Sequence, residues 1–172
     1  LLDAVSEAEI QELELTFSPG DHTSAERAFG GAEKFRDALA ARGQGVVSEY
    51  FPELEGSANP LDPAEQDLVV EAASRYAESL AAMGAGFLVV GLPMRTSRDQ
   101  RPAQFVDLEY ARRLADVLNR IGAATQDHGV QTALHTESHS VFWTPRDVDL
   151  FMMLTDPMYV AMCPDTGHIA LA

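Results

Sequence analysis

Three features of the chain predict a parallel α/β fold. Helical and strand-like stretches alternate through five units spaced about 30 to 45 residues apart with no sequence identity between them, the rhythm of a βα array rather than a solenoid. Phe87-Leu88-Val89-Val90-Gly91-Leu92 is a continuous apolar run, as expected of a parallel strand covered on both faces. Polar clusters follow two consecutive strands: His135-Thr136-Glu137-Ser138-His139 after Thr132-Ala133-Leu134, and Pro164-Asp165-Thr166-Gly167-His168 after Tyr159-Val160-Ala161-Met162-Cys163. In parallel α/β folds, that edge is where chemistry is built. Right-handed crossovers in this number give either an open doubly wound sheet or part of an eight-stranded barrel. No G-x-G-x-x-G or P-loop follows any strand, which counts against a nucleotide-binding sheet.

Each unit has its own local signals. The first runs from a helix over residues 1–8 into the strand Glu12 to Phe17, followed by the turn-rich Ser18-Pro19-Gly20-Asp21-His22-Thr23. In the second, Phe35, Ala38 and Leu39 mark one face of a helix over 32–42, Gly43 stops it, and Val46 to Phe51 forms the strand. A Pro/Gly/Asn/Glu loop over 52–60 then leads to a third helix, with Asp62 as N-cap and Pro63 in its first position. Val69, Ala73, Tyr76, Ala77 and Leu80 are its apolar stripe, and Gly84 ends it before the Phe87 strand. The loop over 93–105 is long and carries Arg95, Arg98 and Arg101. Long loops on this edge commonly serve function. Leu108, Ala111, Leu114, Ala115, Leu118 and Ile121 stripe the fourth helix, which Gly129 closes. Thr144-Pro145-Arg146-Asp147 opens the fifth in the pattern of a capping box.

Composition excludes several classes of function. At 172 residues and 46% apolar composition the chain can build a real core, and no apolar run approaches the roughly 20 residues of a membrane span. The single cysteine, Cys163, leaves no internal disulfide framework and fits a reducing, cytoplasmic setting. The net charge of -15, with Lys34 the only lysine, repels a phosphate backbone and makes nucleic acid an unsuitable partner. A small polar molecule or neutral sugar fits better, and assembly as a homo-oligomer is left open.

Glu137 and Asp165 form the central pair of candidate residues. A carboxylate at the end of a buried strand is costly unless something positive compensates it. Two of them beside imidazoles make a natural seat for a divalent cation, with oxygen-rich ligation favouring Mn, Mg, Co or Zn. The competing reading has each carboxylate cap a helix or pair with an arginine. His168 lies three residues beyond Asp165 on a tight turn and can return toward the same mouth. Strand alternation would send His135, Glu137 and His139 the same way. Glu14 and Glu49 sit in otherwise apolar strands, which exposure at a sheet edge explains equally well. Trp143 would give a sugar an apolar wall or simply pack. Arg95, following Leu92, would bind an anionic or hydroxylated ligand or, more simply, stand as a solvated loop charge.

The runs L-H-T-E-S-H-S, T-P-R-D-V-D-L-F-M-M-L-T-D-P-M-Y-V and C-P-D-T-G-H-I-A-L-A resemble the xylose isomerase-like TIM barrel superfamily, in particular its sugar-phosphate isomerase/epimerase and inosose dehydratase branch. A-E-I-Q-E-L-E-L is similar to that family's early strand, with Glu14 at its glutamate and Glu9 where glycine is usual. The resemblance implies one (β/α)8 TIM-barrel domain over 1–172 that lacks its first strand and last units, since a closed barrel takes about 250 residues. It also implies one divalent metal held by Glu137, Asp165 and ligands beyond this chain, with Glu137 and His168 as catalytic groups. His168, His139, Trp143 and Glu14 become substrate-binding candidates. The activity implied is isomerisation or epimerisation of a sugar, keto sugar or sugar phosphate by removal of a proton next to a carbonyl. A metal-dependent lyase or dehydratase acting on a cyclitol or oxidised glycoside is the alternative, and a non-catalytic binding subunit derived from a barrel is the third reading.

Overall fold

The computed structural model describes residues 2–56, 61–95 and 105–172. Five strands form one sheet: β1 (Glu12–Leu15), β2 (Gly45–Phe51), β3 (Phe87–Val90), β4 (Gln131–His135) and β5 (Val160–Cys163). The helices are α1 (Leu2–Glu7), α2 (His22–Phe29), α3 (Ala32–Ala40), α4 (Pro63–Met83), α5 (Leu108–Gln126), α6 (Pro145–Leu154) and α7 (Thr166–Ile169).

The strand order is β1-β2-β3-β4-β5, with every neighbouring pair parallel. This order decides between the two topologies that the crossovers allow. A doubly wound sheet must reverse its strand order to place helices on both faces, whereas strands added always on the same side send every right-handed crossover over one face. The chain therefore forms part of a (β/α)8 barrel.

Strand register sorts the side chains. Glu49, Leu88, Thr132 and Val160 lie in one row facing the helices, where Thr132 shares a 2.9 Å hydroxyl contact with Thr125 of α5. Tyr50, Val89, Ala133 and Ala161 form the neighbouring row on the inner face. One step further along β4 and β5, His135 stands opposite Cys163 on that same inner face. The core lies between sheet and helices, with Leu88, Val90 and Leu134 against Leu80, Leu114, Leu118 and Ile121, all fully buried. Each such leucine contributes about 1.5–3 kcal/mol relative to exposure.

The cap and glycine stop that the sequence marks for α4 act as expected, and α5 gains a cap of the same kind. Asp62 accepts the Ala64 N–H at 2.9 Å to cap α4, and Asp107 accepts the Tyr110 N–H at 2.8 Å to cap α5. Gly84 ends α4 at φ 84°, a left-handed conformation that glycine adopts without cost. Glu9, in the position where the family pattern has glycine, also turns left-handed at φ 58°. For a residue with a Cβ this costs about 1–2 kcal/mol.

Four expectations need correction. Residues 22–29 form a helix, α2, where the sequence suggests only a turn-rich loop; Asp21 caps it by accepting the Ser24 N–H at 2.6 Å. The Thr144 side chain makes no backbone cap on α6 and instead donates to the Asp147 carboxylate at 2.5 Å. Arg95 is not a solvated loop charge, because its guanidinium donates at 2.6 Å to Asp147, which is fully buried. Glu49 is likewise buried, so exposure at a sheet edge does not explain it. Arg98 and Arg101 lie outside the described residues. Among the described residues, no helix is long and apolar enough to cross a membrane.

Candidate metal centre

The polar clusters after β4 and β5 are tied together before any ligand is considered. Thr136, buried just past the end of β4, donates its N–H to the Cys163 carbonyl at 3.3 Å, and its hydroxyl accepts the Asp165 N–H at 2.8 Å. The chain then turns from Glu137 to Ser140, where the Ser140 N–H reaches the Glu137 carbonyl at 3.1 Å. Asp165 caps the single turn of α7: its Oδ1 accepts the N–H groups of Gly167 at 2.8 Å and His168 at 3.0 Å. That turn brings the His168 ring back toward Glu137.

Four side chains meet at the mouth. His168 Nε2 lies 3.2 Å from Glu137 Oε2, while its Nδ1 is fixed at 2.8 Å from Ser138 Oγ. His135 Nδ1 is 3.7 Å from Glu137 Oε2, and its Nε2 is 3.6 Å from Asp165 Oδ2. His168 Nε2 and Asp165 Oδ2 are 4.0 Å apart. Most of these gaps exceed hydrogen-bond length, and among the described residues His135 Nδ1 is buried without a hydrogen-bond partner.

The donor set fits a divalent ion. One ligand atom each from His135, Glu137 and His168 lies within 4.8 Å of the others, close to the roughly 4.4 Å that opposite ligands span around an ion at about 2.2 Å. Two imidazole nitrogens and a carboxylate oxygen suit Zn, Mn or Co. Asp165 stands just outside this trio, with one oxygen occupied by the α7 cap and the other turned toward the histidines. Its carboxyl is held below the usual range, first by the His168 N–H and then by the Gly167 N–H and nearby imidazoles, which together outweigh slight burial. It therefore stays anionic in weak acid, as a ligand must. Burial foremost, then the Glu14 and Asp165 charges, push the Cys163 thiol up.

The other sequence candidates divide. Glu14 is exposed on β1 and accepts the Ser48 hydroxyl at 2.6 Å. His139 does not follow the alternation that would align it with His135 and Glu137. The strand ends at His135, and His139 turns left-handed at φ 69°, with its ring against Trp143 at a centroid distance of 4.7 Å. Trp143 donates its indole N–H to the His168 carbonyl at 2.9 Å, bracing α7. The Met94–Ser140 bridge and the Arg95 N–H to the His139 carbonyl, at 2.7 Å, hold the loop after β3 against this one.

Three participants went unassigned in the sequence. His135 is a full member of the ligand cluster, Ser138 orients His168, and Tyr50 closes the mouth from β2. The Tyr50 ring stands edge-on to His135 at 5.7 Å, and its hydroxyl donates to Glu55 at 2.6 Å. Burial first, then the Glu55 hydrogen bond and the charges of Glu55, Glu137 and Glu14, raise its phenol far above the ordinary value. Alternation in V-S-E-Y places Ser48 and Tyr50 on the face opposite Glu49, but nothing in the sequence says which face is inner.

Comparison with known proteins agrees with this architecture. The profile of the xylose isomerase-like TIM barrel family matches residues 2–172. An inosose dehydratase from Clostridium perfringens is 26% identical over 143 residues, covering 80% of this chain and 46% of its own length. The chain thus spans about half the length of the curated relatives it matches. The crystal structure of a 3-keto-D-glucoside 4-epimerase from E. coli superposes with a TM-score of 0.76 at 15% identity, over 99% of this chain and 64% of that one. A xylose isomerase-like TIM barrel protein from Mycobacterium smegmatis, solved in complex with magnesium, has a TM-score of 0.68 at 20% identity, over 98% of this chain and 56% of that one. At these identities the structural likeness speaks for the fold.

Proposed function

This chain belongs to the xylose isomerase-like TIM barrel family, and we propose that it carries the first ligands of a divalent metal centre that isomerises or epimerises a keto sugar or related carbohydrate. The observation behind this reading is the His135–Glu137–His168 trio, with a buried His135 nitrogen that no group among the described residues satisfies. Glu137 and His135 would hold the ion with Asp165 Oδ2 as a neighbouring donor, which leaves His168 to the substrate. A bound divalent ion supplies a Lewis acid that polarises adjacent substrate oxygens and acidifies the C–H beside a carbonyl.

The chain's own groups then handle orientation and proton movement. Ser138 fixes His168 at Nδ1, so Nε2 points to the mouth and can donate to, or accept from, a substrate oxygen. Glu137 Oε2 lies 3.2 Å from that nitrogen, close enough for the two groups to exchange a proton. Ala133 and Ala161, paired across β4 and β5, present small side chains on the inner face. A dehydratase reading uses the same parts, with loss of a hydroxyl after proton removal, and the inosose dehydratases among the relatives favour it.

The test is metal content after loading with Mn2+, beside Glu137→Gln. The reading expects about one ion per wild-type chain and at least about 100-fold weaker binding in the variant, since even partners that only orient ligands are worth 10–100-fold. Mass spectrometry of products from keto sugars and cyclitols then separates the activities: an unchanged mass means isomerisation, and loss of water means dehydration. A wild type that takes up no metal would move the chain to the non-catalytic reading.

A further inference from the structure

Beyond the metal ligands, four aromatic rings cross the mouth in a row from β1 to α7. Phe17 to Tyr50 is 5.5 Å between centroids, Tyr50 to His135 is 5.7 Å, and His135 to His168 is 5.7 Å. The last two rings belong to the metal cluster. Tyr50, half-buried, and Phe17, 61% exposed, do not.

The backbone beside Tyr50 is shaped to admit it. A Cβ on Gly91 would lie 2.1 Å from the Tyr50 hydroxyl oxygen and 3.0 Å from Glu55 Oε2. Only glycine there lets the phenol reach Glu55. With its proton committed to Glu55, the Tyr50 oxygen keeps its lone pairs to accept from a ligand hydroxyl. Trp143, the other candidate wall, has its indole N–H bound to the α7 backbone and its ring against His139.

We propose that Tyr50 is a specificity-determining residue of this centre, receiving the ring of a neutral, unphosphorylated sugar or cyclitol against its phenol. The proposal rests on the metal-centre reading above. Its aromatic surface suits the C–H face of such a ring, and its oxygen accepts one of the ring's hydroxyls. Charge argues against a phosphorylated ligand at this point. Glu55, Glu137 and Glu14 all act on the Tyr50 phenol, and among the described residues of the loop after β3 the one arginine, Arg95, is bound to Asp147 at 2.6 Å.

The experiment measures binding of D-fructose, myo-inositol and D-fructose 6-phosphate to Mn2+-loaded protein by calorimetry, in wild type, Tyr50→Ala and Tyr50→Phe. Wild type should bind at least one neutral probe, and D-fructose 6-phosphate about tenfold more weakly than D-fructose. Tyr50→Ala should weaken the neutral probe by about tenfold and Tyr50→Phe by about threefold, with Mn2+ affinity unchanged in both. Should Tyr50→Ala fail to fold, Tyr50→Phe carries the test alone. Neutral-probe affinity that survives both substitutions overturns the proposal, as does tighter binding of the phosphate ester. A wild type that binds Mn2+ but neither neutral probe sinks the proposal and leaves the metal reading standing; one that binds no Mn2+ sinks both.

Discussion

Among the described residues two carboxylate–imidazole groupings stand out, one on each face of the sheet, and they are built in opposite ways. On the helix side, Glu49 is fully buried and closely matched: it accepts the His22 N–H at 2.8 Å, and His22 Nδ1 sits 2.9 Å from both of its oxygens. The His22 ring packs edge-on against Tyr76 of α4 at 4.4 Å. On the inner side, Glu137, Asp165, His135 and His168 stand 3.2 to 4.0 Å apart, with one ring nitrogen unsatisfied. The first pair has met its polar requirements within the protein and joins α2 to β2. The second has capacity left over, and buried capacity of that kind calls for a ligand.

The largest expected effect comes from breaking the matched pair. Glu49→Ala should cost about 3 kcal/mol, at the lower end for a broken buried ion pair because His22 can shed its charge. Urea unfolding measures the cost, and Mn2+ binding should survive where the protein stays folded. A loss below about 1 kcal/mol would mean that the pair is no more than a surface contact.

A smaller effect distinguishes members of the inner cluster. Asparagine caps helices as well as aspartate, so Asp165→Asn should keep α7 while removing the charge on Oδ2. Mn2+ affinity should drop by about tenfold, less than in Glu137→Gln. Equal losses in the two variants would make Asp165 a ligand on a par with Glu137.

The smallest effect is one of pH. Burial lowers the His22 pKa, but the Glu49 hydrogen bond and charge outweigh it, so the folded value lies above that of the unfolded chain. Stability from this pair is therefore complete below about pH 6.5 and lost as pH rises through the folded value. The gap in urea midpoint between wild type and His22→Gln should shrink from pH 6 to pH 9. A gap that widens with pH would reverse the sign and the assignment.

One side of this comparison is far more legible in the sequence than the other. Glu137, Asp165 and His168 stand out because packing alone rarely puts so many ionisable groups directly after an apolar strand. Caps, stripes and glycine stops locate α4 and α5, because those signals act over a few neighbouring residues. The His22–Glu49 pair joins positions 27 apart, and only the packing of α2 over β2 brings them together. α2 itself is short and polar, with no buried residue to show a stripe; its local marks are Asp21 before the first turn and the left-handed Gly30 after the last. The misplacement of His139 has a similar origin. Alternation holds only while the backbone stays extended, and the turn that starts at Glu137 ends it before His139.

The place of Trp143 has a practical use. The chain's single tryptophan donates its indole N–H to the His168 carbonyl and rests its ring on His139. Its emission therefore originates beside the turn that positions His168, without a background from other indoles. The fold has placed an intrinsic fluorescent reporter against the candidate centre, so ligand uptake and imidazole protonation there can be followed optically in the unlabelled protein.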